Sequence, residues 1–204
     1  MSVTIYGVAA SRTMRPLWAA LELGIDFKHE PIAFGETGSR KPEFRSVNPN
    51  GKIPALKDGD LLLFESMAID WYLVRKYDNG KGLAPRNLEE EAAILQWTFW
   101  AMTEVEKQII EWAFNAFVWP AERRAPKVAE AAMASIQAPL QVLDQALAGK
   151  QWLVGERFTL ADLNVAAVLY RLLQADLSHV PNVQSWLRLC LERPAALAMR
   201  KMRE

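Results

Sequence analysis

Residues 48–69 read NPNGKIPALKDGDLLLFESMAI, and the alternation of apolar runs with turn signals in this stretch decides the fold. Ile53–Leu56 and Leu61–Phe64 flank Asp58-Gly59, a dipeptide that tolerates the positive φ of a two-residue primed turn, so the two runs are expected to pair as an antiparallel hairpin. Pro54 stands at the start of what should be a central strand. Without an N–H it cannot join the ladder, which confines it to a strand start, an edge or a bend. A cis Ile53–Pro54 bond would turn the N–H and C=O of Ile53 outward and offer an extended peptide ligand a strand-like pair of hydrogen bonds. A trans proline at a strand start is the commoner arrangement, and the residues alone leave both open. Glu65-Ser66 then open a helix that runs through Tyr77, with Ile69, Tyr72 and Leu73 on one face, and stops at Asn79-Gly80. The serine hydroxyl and free N–H groups at a helix start can hold a carboxylate while Glu65 accepts from an ammonium, matching the head of an α-amino acid. Simple capping accounts for the same dipeptide.

Working toward the N-terminus, Val3–Tyr6 reads as a buried strand, Met14–Leu23 as a helix stopped by Gly24, and residues 26–32 as a second strand. Pro16 is tolerable because it falls in the first turn. The right-handed crossover rule makes the two strands parallel. Residues 33–51 read as a loop with one helical turn near Glu43–Ser46. Residues 1–80 thus form a β-α-β, loop, β-β-α unit. Ser11, with Thr13 nearby, lies in the loop after the first strand's carboxyl end, where open α/β sheets place ligands. A hydroxyl beside a helix N-terminus suits an anion, and it also suits an N-cap. Arg40 and Lys41 in the loop, with Lys52, can bind a second carboxylate or simply be solvated.

Working toward the C-terminus, residues 81–87 form a linker with Gly82 and Pro85, after which strand signals almost vanish. A long helix is expected over residues 88–118, opened by Glu89-Glu90-Glu91 against the helix dipole and stopped before Pro120. Pro126 opens a helix ending near Gly149, kinked at Pro139. Thr159 and Asp162 form an N-cap pattern flanked by Phe158 and Leu163 in the places of a hydrophobic staple. Pro181 starts a helix running to about Glu192, and a tail helix follows Pro194. Trp97, Phe99, Trp100, Trp112, Phe114, Phe117 and Trp119 on the long helix supply core packing, a pocket wall or a dimer seam; periodicity does not sort them.

Composition removes several classes of function. The 204 residues carry 24 basic and 24 acidic side chains with 51% hydrophobic residues, so the chain should be globular and has no electrostatic footprint for nucleic acid or anionic membrane. Residues 1–80 hold ten charges of each sign and the remainder fourteen of each, so neither half is a polyanion binder. The single Cys190 excludes an internal disulfide, and the first residues lack a signal-peptide run, which makes a reducing cytoplasm the expected compartment. There is no CxxC, GxGxxG or P-loop, and His29 and His179 have no spaced partners for a metal.

Taken together, YGVAASRTMRPLWAALELGIDFKHE, NPNGKIPALKDGDLLLFESMAI and WLVGERFTLADLNVA resemble the cytosolic glutathione transferase family over essentially the whole chain, and most closely its serine-type branch, similar to the phi and theta classes. The resemblance implies an α/β thioredoxin-like N-terminal domain (1–80), the linker (81–87) and an all-α C-terminal domain (88–204). It implies a cytoplasmic homodimer active in detoxification, with glutathione as co-substrate, an apolar electrophile as second substrate, and no resident cofactor or metal. By the same resemblance Ser11, or Thr13 in its place, is the catalytic hydroxyl. Arg40 and Lys52 approach the glycine carboxylate, Ile53 pairs with the cysteinyl backbone before Pro54, and Glu65 with Ser66 takes the γ-glutamyl head. Trp100 and Thr103 fall in the electrophile pocket. Reductase and isomerase branches place a cysteine in the active-site loop, and this loop has Ser11 instead. The alternative class is a non-catalytic interaction module or ligand carrier on the same fold.

Overall fold

The computed structural model describes residues 3–203; Met1, Ser2 and Glu204, which the expected domain bounds include, lie outside the described residues. The β-branched run Val3–Tyr6 forms β1, Phe27–Glu30 forms β2, Ala55–Asp58 forms β3 and Leu61–Phe64 forms β4. The sheet order is β2-β1-β3-β4, with β1 parallel to β2 and antiparallel to β3, and β3 antiparallel to β4. The hairpin forms as its pattern requires, one residue out of place. Asp58 pairs with Leu61, so the two turn residues are Gly59, at φ 61°, and Asp60.

Asp58 is left in the ladder because α3 (Ser66–Tyr77) claims its side chain. Its Oδ2 accepts from Tyr72 at 2.8 Å, Lys76 at 2.7 Å and Tyr77 at 2.5 Å. Burial works to raise the Asp58 pKa, but these donors bring it below its ordinary value. One carboxylate thereby ties the hairpin to the helix. Helix α1 (Met14–Leu23) packs on α3, and Gly24 closes α1 in the left-handed conformation at φ 64°. The short α2 (Pro42–Arg45) is the single helical turn expected in the loop.

Residues 88–118 are helical throughout with two changes of pitch. Helix α4 (Leu88–Trp100) passes into a π-helical stretch over Ala101–Val105, α5 (Glu106–Ala113) follows, and a second π-helical stretch covers Phe114–Val118. The wide turns show in bonds five residues long, such as Trp119 N–H to the carbonyl of Phe114 at 3.0 Å. The proline effect near 139 takes the form of a break. Helix α6 (Pro126–Ser135) ends, Ile136 adopts φ −91° and ψ −3°, and α7 (Gln137–Ala146) begins. Pro139 has no N–H for the carbonyl of Ser135, four residues earlier, so the ladder ends there. The Thr159–Asp162 capping box is present at the start of α8 (Leu160–Leu169), and α9 (Pro181–Leu191) and α10 (Pro194–Lys201) complete the chain.

The chain divides into two compact units, residues 3–84 with 192–203, and residues 85–191. The tail therefore packs with the α/β unit, whereas the sequence reading groups it with the helices it follows. The reason is local. Helix α10 lies on α1, burying Ala196 and Met199, and Arg193 forks onto Glu22 with two bonds of 2.7 Å.

Candidate functional site

Ser11 sits in the loop between β1 and α1, half-buried, with Thr13 fully buried behind it. Ser11 Oγ donates to the carbonyl of Val8 at 2.7 Å, accepts from the N–H of Thr13 at 3.1 Å and lies 2.9 Å from Thr13 Oγ1. Neither hydroxyl caps α1: Thr13 is the N-cap residue and makes no side-chain cap bond. The simple capping role is thus not what these side chains perform. Gly7 makes the arrangement possible. It has φ 125°, its carbonyl is 2.8 Å from His29 Nε2, and a Cβ there would lie 2.3 Å from Thr13 Oγ1 and 2.8 Å from Ile53 Cβ.

The Ile53–Pro54 bond is cis, the rarer of the two arrangements left open by the residues. Ile53 is buried with Phe44 and Ala55, against Tyr6, Val8, Ile32 and Val47. Asn48, 1% exposed, shapes the approach: its Nδ2 donates to the carbonyl of Lys52 at 2.6 Å, and its Oδ1 accepts from the N–H of Asn50 at 3.0 Å. Lys52 itself is exposed. Arg40 is exposed and pairs with Glu36 at 3.0 Å, and Lys41 is exposed at the N-cap of α2.

Glu65 and Ser66 stand at the start of α3 in unequal roles. Glu65 is exposed and holds φ 69°, a backbone region that non-glycine residues occupy at a cost of about 1–3 kcal/mol, mostly at functional sites. Its side chain makes no capping bond. Ser66 is buried, and its hydroxyl accepts from Arg15 Nη1 at 2.9 Å. All these residues belong to the first unit. Trp100 and Thr103 belong to the second. Trp100 is half-buried with its ring edge-on to Trp97, while Thr103 is exposed and its hydroxyl donates to the carbonyl of Phe99 at 3.1 Å.

Four participants escaped the sequence reading. Gly7 and Asn48 carry no periodic signal, although a glycine ending a strand before a polar loop is a cue to a close approach. Arg15 and Asp70 are charged residues at helical positions that surface patterning assigns to solvent, and both are buried.

Comparison with known proteins agrees with this fold. Residues 1–75 match the glutathione S-transferase N-terminal domain, and residues 105–194 match the glutathione S-transferase C-terminal domain. The chain is 32% identical over 210 residues to glutathione S-transferase F13 of Arabidopsis thaliana, covering 97% of this chain and 94% of the relative. It is 30% identical over 211 residues to glutathione S-transferase PARB of Nicotiana tabacum, covering 96% and 95%. The solved structure of glutathione S-transferase-I bound with lactoylglutathione superposes with a TM-score of 0.89 at 30% identity, covering 99% of this chain and all of the other.

Proposed function

The chain belongs to the glutathione S-transferase family, and from that premise we propose that it is a serine-type glutathione transferase whose Ser11 hydroxyl holds the glutathione thiolate for attack on an apolar electrophile. A free thiol titrates near 8.5, so at neutral pH only a few per cent is nucleophilic. A hydrogen bond donated to sulfur favours the charged form and lowers that pKa, and the N-terminus of α1 adds to the effect. The thiolate then displaces the leaving group at carbon. One S–C bond forms and one bond to the leaving group breaks, with the thiol proton released to solvent.

The observation that carries this reading is the difference in exposure between the two hydroxyls. Ser11 is half-buried and accessible, whereas Thr13 is enclosed and lies against Ser11 Oγ. Ser11 therefore meets sulfur by turning its proton from the Val8 carbonyl, and Thr13 supports it by donating its own hydroxyl proton to Ser11 Oγ. Around it, Ile53 before cis-Pro54 pairs with the cysteinyl backbone, Glu65 and Ser66 take the γ-glutamyl head, and Lys52 with Arg40 takes the glycine carboxylate. Arg40 must exchange its bond to Glu36 for the ligand to do so. Trp100 and Thr103 contribute to the electrophile pocket, and no resident cofactor is required by this chemistry. We read the protein as a cytoplasmic homodimer with no nucleic-acid or membrane partner. Exposed Leu61, Leu62 and Phe64 along β4 give a partner copy an apolar edge to cover, and none of the described helices is long and apolar enough to cross a membrane.

The test is thioether formation with an aryl halide across pH. Ser11→Ala should lower kcat/KM at neutral pH on the order of 100-fold, as loss of one anion-stabilising donor does, and move the rise of the rate profile toward the free-thiol value. Thr13→Val should give a smaller loss. Retention on glutathione-agarose with turnover indifferent to Ser11→Ala would remove the serine from the mechanism.

A further inference from the structure

Between α1 and α3 lies a buried charged cluster directly behind the γ-glutamyl end of the proposed site. Arg15, 3% exposed, projects from the first turn of α1; Ser66, 4% exposed, and Asp70, fully enclosed, stand one helical turn apart on α3. Arg15 Nη1 donates to Ser66 Oγ at 2.9 Å. Neither carboxyl oxygen of Asp70 has a hydrogen-bond partner among the described residues. Burial pushes the Asp70 carboxyl well above its ordinary range, against the pull of the Arg15 guanidinium.

The donor inventory of this cluster fixes one proton. A guanidinium carries five donors and no acceptor, so in the Arg15 bond the serine oxygen can only accept. The Ser66 proton must then point elsewhere, and it does not go to Asp70, whose oxygens accept nothing among the described residues. That leaves it available to an acceptor arriving at the N-terminus of α3, where Ser66 is the first helical residue. We propose that Arg15 is a positioning residue for the γ-glutamyl carboxylate: it locks the Ser66 hydroxyl as a donor to that carboxylate. The proposal rests on the assignment of Ser66 to the γ-glutamyl head. A bond donated by a cation strengthens the next bond in the chain, and in a site shielded from water the arginine charge acts on the arriving anion with little screening. Lysine would keep the charge but lose the planar fork that reaches Ser66.

The deciding measurement is steady-state kinetics of the intact chain at saturating aryl halide, with two thiols: glutathione, and the analogue lacking the γ-glutamyl carboxylate, γ-aminobutyryl-cysteinylglycine. Wild type should prefer glutathione in KM by about tenfold, the worth of one charge-assisted hydrogen bond. Ser66→Ala should erase most of that preference. Arg15→Met should erase it to the same degree, leave kcat within about twofold, and add nothing further in the Arg15→Met/Ser66→Ala double variant. Arg15→Lys should fall between Arg15→Met and wild type. If Arg15→Met does not fold, Arg15→Lys decides: a raised glutathione KM with the analogue unaffected supports the positioning role, and an unchanged KM overturns it. Multiplying effects in the double variant, or an equal loss on both thiols, also overturn it. If instead Ser66→Ala leaves the preference intact, the assignment of Ser66 fails with no arginine variant involved, and the proposal falls with it.

Discussion

Gly7 holds the serine loop and the Ile53 strand at a spacing that admits no side chain. A Cβ would lie 2.3 Å from Thr13 Oγ1 and 2.8 Å from Ile53 Cβ, and the φ of 125° is itself unfavourable for any L residue. Gly7→Ala should therefore cost at least about 2 kcal/mol in urea unfolding, from strain and overpacking together. It should also weaken glutathione binding, because Thr13 backs Ser11 and Ile53 carries the peptide-pairing backbone. Wild-type stability with wild-type KM in this variant would mean that the loop yields without consequence. The same residue shows what a single sequence can and cannot deliver at this scale. Ser11, Pro54, Glu65 and Ser66 are legible as candidates because each is a polar or proline residue at the boundary of a strong periodic run, and Ile53 because it precedes that proline. Their supports are not: Thr13's burial and Arg15's reach across to α3 depend on residues brought together from distant turns, and Asn48's bonds to the Lys52 carbonyl and Asn50 N–H, though local, lie in a loop without a periodic pattern.

At the scale of elements, Glu90 gives a measurable pH dependence. The sequence places Glu89, Glu90 and Glu91 alike against the dipole of α4, and the structure gives Glu90 a separate task. Its two oxygens accept from Arg157 Nη1 at 2.9 Å and Nη2 at 2.6 Å, and Oε2 also accepts from the N–H of Arg86 at 2.8 Å. The Arg157 bonds, then the Arg86 N–H, outweigh burial and lower the Glu90 pKa from 4.5 to about 2. A carboxyl whose folded pKa is depressed contributes stability that is full above the unfolded value and is lost as pH falls toward the folded one. Glu90→Gln should thus cost on the order of 1–2 kcal/mol at neutral pH, and its deficit against wild type should shrink as pH falls from 4.5 to 2. A deficit constant across that range would assign the effect to packing. Element existence was legible from period and punctuation, down to the Thr159–Asp162 box. There Asp162 accepts from Leu153, Thr159 and the Trp186 ring. The two π-helical stretches were not legible, since they are rare single turns and a reading by period assumes 3.6 residues per turn throughout.

At the scale of the whole molecule, residues 192–203 return to pack beside α1 in the unit that β1 opens. Reading along the sequence groups the tail with the helices that precede it, because periodicity reports neighbours and carries nothing about a bond spanning 171 positions such as Arg193 to Glu22. The tail holds α1 at both ends. Arg193 forks onto Glu22 in its last turn, and Arg203 Nη1 donates to the carbonyl of Ala9 at 2.9 Å, two residues before Ser11. Between these points Ala196 and Met199 are fully buried. Burial of a methionine contributes roughly 1.5–3 kcal/mol, and loss of Arg193 leaves Glu22, 7% exposed, without its cation. Arg193→Ala should therefore cost about 2–3 kcal/mol, and deletion of residues 192–204 should cost more. Hydrogen exchange separates the two ways of assigning the tail: deletion should strip protection from the amides of α1 while those of α8 keep theirs. Loss of protection in α8 with α1 unchanged would return the tail to the helical unit.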